Sequence, residues 1–253
     1  QSRELRSDIK VVSFADDGGL SFYTGKTAPY TSVVRTSDEG PLEALRPRKM
    51  PNGQFAAGLG GLGWDAADKE GRDPIKALSQ VVRQVVLHHD AAVSARSCHQ
   101  ILLARGYSTH FAIDRDGTIY QVADVADQAI HATVMNSSSI GIDLNNPSPL
   151  LQEGAAPVDD RPVSKKMEIN GSEFVTTGYT DLQYVSIIEL LREICTVLGI
   201  LPTFPVDENG KILNSVLQAP KEFNGIMCHW HVQPEKWDPG PGLDWERIMS
   251  GLR

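Results

Sequence analysis

The sequence predicts an α/β domain, with a central mixed β-sheet flanked by helices and an irregular N-terminal extension. Three observations predict it. Residues 81–87 form a run rich in β-branched side chains, typical of a central strand. Residues 180–198 carry apolar side chains at helical spacing. Residues 1–79 are rich in glycine, proline and charge, so we place the domain at 80–253 and treat 1–79 as an extension packed on it or linked to it.

Composition excludes several classes of protein. The chain has 253 residues, of which 41% are hydrophobic and 22% charged, as expected of a globular protein. Its net charge of -8 argues against a nucleic-acid partner, because phosphate binding needs clustered Lys and Arg. No apolar run approaches the roughly 20 residues of a transmembrane helix. We expect a monomer, and the start at Gln1 without a signal-like segment indicates processing or trimming.

The N-terminal extension contains two candidate strands. Residues 10–14 and 20–23 flank a turn and have the composition of short strands. The segment GLGGLGW at 58–64 has glycine spacing like that of a phosphate-binding loop, but it lacks a GK[ST] ending and a βαβ setting. Nucleotide binding is therefore not favoured, and we expect Phe55 and Trp64 to anchor the extension on the domain.

Two helices have clear boundaries in the sequence. Ser94 can cap the first, and Gly106 can end it. Thr180 and Gln183 form a capping box for the second, which Gly199 ends. The expected apolar faces are Cys98, Ile101 and Leu102 in the first helix and Leu182, Val185, Ile188, Leu191, Cys195 and Leu198 in the second.

The remaining chain predicts a hairpin, a long insertion and one more strand. Residues 110–114 and 118–122 alternate like strands, and Gly117 suits the connection between them. Residues 145–178 form a polar insertion, and loops of that length are usually functional or disordered. The three cysteines lie far apart without a CxxC motif, so we expect small buried residues rather than disulfides or a cysteine zinc site: Cys98, Cys195 and Cys228.

The stretch 228–245, CHWHVQPEKWDPGPGLDW, concentrates metal-ligand residue types. His229 and Asp238 suit zinc, and Lys236 can present a positive charge beside the metal. Residues 239–241, Pro-Gly-Pro, restrict the backbone after the aspartate, which would hold a ligand in place. This stretch is therefore predicted to provide half of a metal site.

The other half of the site is predicted at the end of the strand at 81–87, where His88 and His89 follow. Adjacent side chains on a strand point to opposite faces, so at most one of the two can join His229. If the strand before His229 continued, His231 would share its face and is the alternative ligand.

The segments LHHDA, STHFAIDRDGTIYQ, IHA, SIGIDL and YTDLQ, followed by His229, KWDPGP and LDW, resemble in that order the zinc-dependent N-acetylmuramoyl-L-alanine amidases. These are the AmpD-like amidases, whose fold is shared with peptidoglycan recognition proteins. The resemblance covers roughly residues 80–250. It implies a zinc ion held by His88, His229 and Asp238, with a fourth position open for water.

The resemblance also implies catalytic roles. Asp143, the single charge on the apolar segment SIGIDL, stands where the family usually has glutamate and would be the general base. Lys236 would stabilise the tetrahedral oxyanion. His131, Trp237 and His110 are the candidate substrate contacts, although a lone strand histidine such as His110 is also typical of a structural role.

The implied reaction is hydrolysis of the amide between N-acetylmuramic acid and L-alanine in peptidoglycan or its fragments. Such a substrate implies a periplasmic or secreted protein, with a cytoplasmic location as the alternative. Two other functions stay open at this point: a peptidoglycan-binding module without catalysis, and zinc-dependent hydrolysis of a different amide.

Overall fold

The computed structural model of the chain describes residues 9–23, 34–37, 40–43, 45–47, 74–147, 150–152, 154, 156 and 161–253. In chain order the strands are β1 (Val11–Ser13), β2 (Val34–Ser37), β3 (Gly40–Glu43), β4 (Leu45–Pro47), β5 (Gln84–His89), β6 (Phe111–Ile113), β7 (Ile119–Gln121), β8 (Asp127–Ala129), β9 (Ser139–Leu144), β10 (Leu150–Leu151), β11 (Met167–Ile169), β12 (Ser172–Thr176) and β13 (Gly225–Cys228). The α-helices are α1 (Pro74–Ser79), α2 (Ala95–Arg105), α3 (Asp181–Leu198) and α4 (Trp245–Gly251), with 3₁₀ turns at Thr133–Met135, Pro220–Glu222 and His229–His231.

The central sheet has six strands in the order β1-β7-β6-β9-β5-β13. Strands β6 and β7 are antiparallel and form the predicted hairpin, with Gly117 at a φ of 81° in its connection. All the other neighbouring pairs in this sheet are parallel. The predicted mixed sheet flanked by helices is therefore confirmed.

Side chains of the central strands alternate between the two faces of the sheet, and the two faces pack in different hydrophobic clusters. Val85 and Leu87 belong to the main hydrophobic cluster, together with side chains of α3. Val86, on the opposite face, packs with Met135 and Met227 in a smaller cluster. Because side chains alternate along a strand, His88 lies on the same face as Val86, away from α3.

The segment before the domain boundary contributes to this sheet. Strand β1 pairs in parallel with β7 and so forms one edge of the sheet. Phe22 and Tyr23 are buried beside Val122, although residues 20–23 are not the strand that the sequence predicted. The boundary at residue 79 remains a prediction. Residues 58–64 with Trp64, and Phe55, lie outside the described residues.

The predicted caps of the two long helices are present. Ser94 and Thr180 each accept a hydrogen bond from the backbone of the third helical residue, and Gly106 and Gly199 end the helices in the left-handed conformation. The predicted apolar faces are only partly correct, because Ile101 is 45% exposed and Leu182 is 56% exposed. The buried side chains of α3 are Gln183, Tyr184, Ser186, Ile187, Leu190, Leu191, Ile194, Cys195 and Leu198.

The insertion at 145–178 is partly regular, which corrects the expectation of a loop. Its strands β10, β12 and β11 form a separate three-stranded antiparallel sheet. All three cysteines are buried and unpaired, as predicted. None of the helices in the described ranges has the length and apolar character that crossing a membrane requires.

Candidate metal centre and active site

Three side chains converge on one point at the end of the sheet. Nδ1 of His88 lies 3.1 Å from Nδ1 of His229 and 3.0 Å from Oδ2 of Asp238. Nδ1 of His229 is also 3.0 Å from Oδ2 of Asp238. The three predicted ligands therefore present one donor atom each to a common centre, and they form the metal-ligand group found within the described residues.

The parallel pairing of β5 with β13 explains why two distant histidines meet. Leu87 is the register partner of Cys228, so His88 and His229 follow paired residues at the same edge of the sheet. Asp238 lies in a turn further along the chain. The hydroxyl of Tyr179 donates a hydrogen bond to the carbonyl of Pro239 over 2.9 Å, which fixes the position of this turn.

The donor set and its spacing fit zinc. Two imidazole nitrogens and one carboxylate oxygen are ligands that zinc prefers, and bonds of 2.0–2.1 Å in a tetrahedral site put neighbouring donors about 3.3 Å apart. The observed separations of 3.0–3.1 Å are close to that value. Three protein ligands with a fourth position left to water are typical of catalytic rather than structural zinc sites.

Burial and the neighbouring groups determine the protonation states of Asp238 and His88. Burial alone would raise the pKa of the Asp238 carboxyl, but the hydrogen bonds and charges of His229 and His88 outweigh it and hold this pKa well below its usual range. Burial and the neighbouring His229 lower the pKa of His88 to about 4. Asp238 is therefore an anion and His88 a neutral imidazole at neutral pH, which are the forms that bind metal.

Each ligand histidine has a second partner on its outer nitrogen. Nε2 of His229 is 2.9 Å from Oε1 of Gln233. Nε2 of His88 is 3.0 Å from Nδ1 of His131, whose own Nε2 is 3.1 Å from Oγ of Ser139. Such outer partners fix the orientation of metal-binding imidazoles.

A cavity of about 640 Å³ opens over the three ligands. Asp143 and Lys236 line it, as does the indole of Trp237. Trp237 stacks on Phe174 of β12 at a centroid distance of 5.2 Å, so the three-stranded sheet of the insertion supports this wall. The cavity therefore brings a carboxyl group and a lysine together beside the predicted metal ligands.

Asp143 has the environment of a proton-transfer group. Its side chain is 8% exposed, and burial together with the Asp90 carboxylate raises its pKa to about 7, against an opposing hydrogen bond from Thr109. A carboxyl group with a pKa near neutrality can both accept and return a proton.

Comparison with known proteins identifies the family. Residues 78–241, well over half of the chain, match the model of the N-acetylmuramoyl-L-alanine amidase family. The chain belongs to this family. No curated protein matches the sequence significantly.

Solved structures include several proteins similar to this amidase-family chain. The endolysine N-acetylmuramoyl-L-alanine amidase LysCS from Clostridium intestinale URNW is 20% identical, with 69% of this chain and 86% of that chain covered and a TM-score of 0.43. AmiD from E. coli, in complex with anhydro-N-acetylmuramic acid-L-Ala-D-gamma-Glu-L-Lys, is 18% identical, with coverages of 67% and 57% and a TM-score of 0.43. Drosophila peptidoglycan recognition protein SD is 12% identical, with coverages of 93% and 91% and a TM-score of 0.43.

Two of the predicted substrate contacts of this amidase-family chain already contact protein groups. His110 is fully buried, and its ring nitrogens contact the carbonyl of Asp127 and the N–H of Gly141, so a substrate cannot reach it in this structure. The structural alternative for His110 is the one that the geometry favours. His131 lines the cavity, and both its ring nitrogens face protein groups, so its contact with substrate stays a prediction.

The rival ligands lie outside the cluster. His231 is fully buried, and its Nδ1 accepts a hydrogen bond from the N–H of Cys228 because the strand ends before it. His89 points to the other face of β5 and packs against the ring of Trp237 at 4.6 Å. The preference for His88 and His229 thus agrees with the geometry. Sequence reasoning missed Ser139 and Gln233: both lie in the segments quoted above, but neither is a residue type that commonly binds zinc.

Proposed function

We propose that the protein is a zinc-dependent amidase that hydrolyses the bond between the lactyl group of N-acetylmuramic acid and L-alanine, in peptidoglycan or its fragments. The observation that carries this proposal is the convergence of His88, His229 and Asp238 beneath a cavity that Asp143 and Lys236 also line. Family membership supplies the reaction class, and the cavity supplies the groups that this reaction requires.

His88, His229 and Asp238 would hold the zinc ion. When bound there, zinc polarises the scissile carbonyl and lowers the pKa of the attacking water. The anionic Asp238 and the neutral His88 would be ready to bind it without a change of protonation.

Asp143 would carry the proton between the two halves of the reaction. Its carboxylate takes a proton from the attacking water and delivers it to the leaving nitrogen of L-alanine, so the products are a free lactyl carboxylate and a free amine. Burial raises the pKa of this carboxyl to about 7 in the zinc-free protein, and a bound zinc ion would lower it towards the carboxylate form that accepts the proton. Aspartate is shorter than the glutamate usual in the family, but its pairing opposite His88 on the neighbouring strand supports this role.

Lys236 would stabilise the negative charge that develops on the carbonyl oxygen. It lies two residues before Asp238, and its backbone N–H donates to the carbonyl of Gln233 over 3.1 Å, which ties it to the same turn. A fixed cation beside the scissile carbonyl stabilises the transition state more than the ground state. Trp237, next in the chain, would offer a flat apolar wall to the substrate.

The substrate implies a place in the cell envelope, periplasmic or secreted, for a chain that we propose acts as a monomer. The net charge of -8 gives no long-range attraction to an anionic wall polymer, so recognition would depend on contacts within the cavity.

The test is incubation of the zinc-loaded protein with purified muropeptides, followed by mass spectrometry. We expect free stem peptides that begin with L-alanine, loss of this activity on zinc chelation, and recovery when zinc is restored. Binding without cleavage would instead support a recognition module. Cleavage at another amide would support a hydrolase of different specificity, and either result would overturn the proposal.

A further inference from the structure

A line of hydrogen bonds leads from a backbone carbonyl to the predicted metal centre. The hydroxyl of Ser139 donates to the carbonyl oxygen of Met135 over 2.7 Å. A serine hydroxyl has a single proton, so towards His131 Oγ can only accept. Nε2 of His131, 3.1 Å away, must therefore carry the proton of that bond.

The line of hydrogen bonds continues through the next two rings. A neutral imidazole has one N–H, so Nδ1 of His131 is an acceptor and takes a proton donated by Nε2 of His88 at 3.0 Å. With a metal in the site, Nδ1 of His88 then carries no proton and its lone pair is available. That atom lies 3.0 Å from Oδ2 of Asp238 and 3.1 Å from Nδ1 of His229, where its lone pair is needed.

We infer that His131 is a positioning residue, which together with Ser139 fixes the tautomer and the ring orientation of His88 so that Nδ1 faces the metal. The inference rests on the proposed zinc site, but it concerns residues that do not touch the ion. His131 acts through His88 and is not a ligand.

The surroundings of His131 hold its ring in this position. Oδ1 of Asn136 accepts hydrogen bonds from the backbone N–H groups of His131 and Ala132, at 3.0 and 2.7 Å. A Cβ atom on Gly141 would lie 2.8 Å from both Cγ and Nδ1 of His131, closer than such atoms approach. The ring therefore occupies the space that a side chain at position 141 would fill, on the face of β9 that also carries Ser139.

The first test compares His131→Leu with His131→Asn by zinc competition against a chromophoric chelator. Asparagine keeps an acceptor where Nδ1 stood, whereas leucine has a similar shape and no acceptor. We expect His131→Leu to weaken zinc binding about 10- to 100-fold, the usual effect of losing an outer partner, and His131→Asn to restore most of it. The control is His99→Leu, at a histidine whose Nε2 contacts the carbonyl of Ser21, away from the cavity; its zinc affinity should equal that of the wild type.

The second test needs no change at His131. Long-range ¹⁵N–¹H correlation spectra of the zinc-loaded wild-type protein should show both His88 and His131 protonated on Nε2, and Ser139→Ala should allow the other tautomer of His131 to appear. Nδ1 protonation of His88 in the wild type would overturn the inference, as would wild-type zinc affinity in a folded His131→Leu protein. Failure of the proposed function would give a different result from failure of this inference, because the wild-type protein itself would then bind no zinc or cleave no muropeptide.

Discussion

Asp143 lies directly opposite His88 in the parallel pair formed by β9 and β5. Both side chains project from the same face of the sheet, since paired residues of neighbouring strands share a face. The proposed base is thus held relative to a ligand by strand pairing rather than by loops. This relationship makes the role of the carboxyl testable by small changes of length and charge.

Asp143→Asn should retain the fold and the zinc but lose roughly 10²- to 10⁴-fold in turnover, because an amide cannot accept the proton. Asp143→Glu should lose less, since it restores the length that is usual in the family. Turnover of a defined muropeptide, with zinc content determined for each variant, checks both. If the Asn variant turns over normally while the Glu variant melts early, the carboxyl only satisfies a neighbouring donor.

The same substitution should change how stability depends on pH in the zinc-free protein. Burial raises the pKa of Asp143 from 3.8 to about 7, so between these values the folded state keeps a proton that the unfolded state has lost. Stability therefore falls as pH rises through this window, and the loss is complete above pH 7. We expect Asp143→Asn to be more stable than the wild type at pH 8, by on the order of 2–4 kcal/mol, and nearly equal to it at pH 4. Denaturant unfolding at both pH values measures this, and a pH-independent difference would contradict it.

Lys236→Ala should keep zinc and lose roughly 2–4 kcal/mol of transition-state stabilisation, the usual contribution of one oxyanion donor. The loss should appear in kcat as well as in kcat/KM, because the interaction strengthens only as charge develops. The matched control is Lys211→Ala, at an exposed lysine outside the cavity lining. Equal turnover in the two zinc-loaded variants would exclude Lys236 from the reaction.

His88→Ala should abolish stoichiometric zinc binding, because it removes one of three convergent donors. His89→Ala and His231→Ala should retain the ion, since one side chain lies on the other face of the strand and the other contacts the backbone of Cys228. Metal analysis of the three purified variants gives the answer. Zinc lost from His231→Ala but kept by His88→Ala would reverse the assignment.

Local signals predicted much of the fold correctly. The capping residues Ser94 and Thr180 are chemical features of a few adjacent positions, and the structure uses both. The buried face of α3 was harder to predict, because it depends on where the helix docks. Leu182 matches the apolar spacing but is 56% exposed, while the polar Gln183 is buried and donates to the carbonyl of Asn145.

The candidate site was predictable where its residues carry distinctive chemistry. His88, His229 and Asp238 stand out as ligand types in an ordered family pattern, and they do converge. The partners of these ligands could not be predicted in the same way. Ser139 resembles any other strand serine until β9 folds beside His131, a contact that only the three-dimensional arrangement creates.

The pairing of β1 with β7 affects how this domain could be shortened. The family match begins at residue 78, so a chain trimmed to 78–253 would lack β1 and leave the hydrogen-bonding groups along β7 open to solvent. It would also uncover the apolar surface that Phe22 now covers beside Val122. Open strand edges next to apolar patches promote intermolecular pairing, so such a fragment would aggregate even with every ligand of the active site intact.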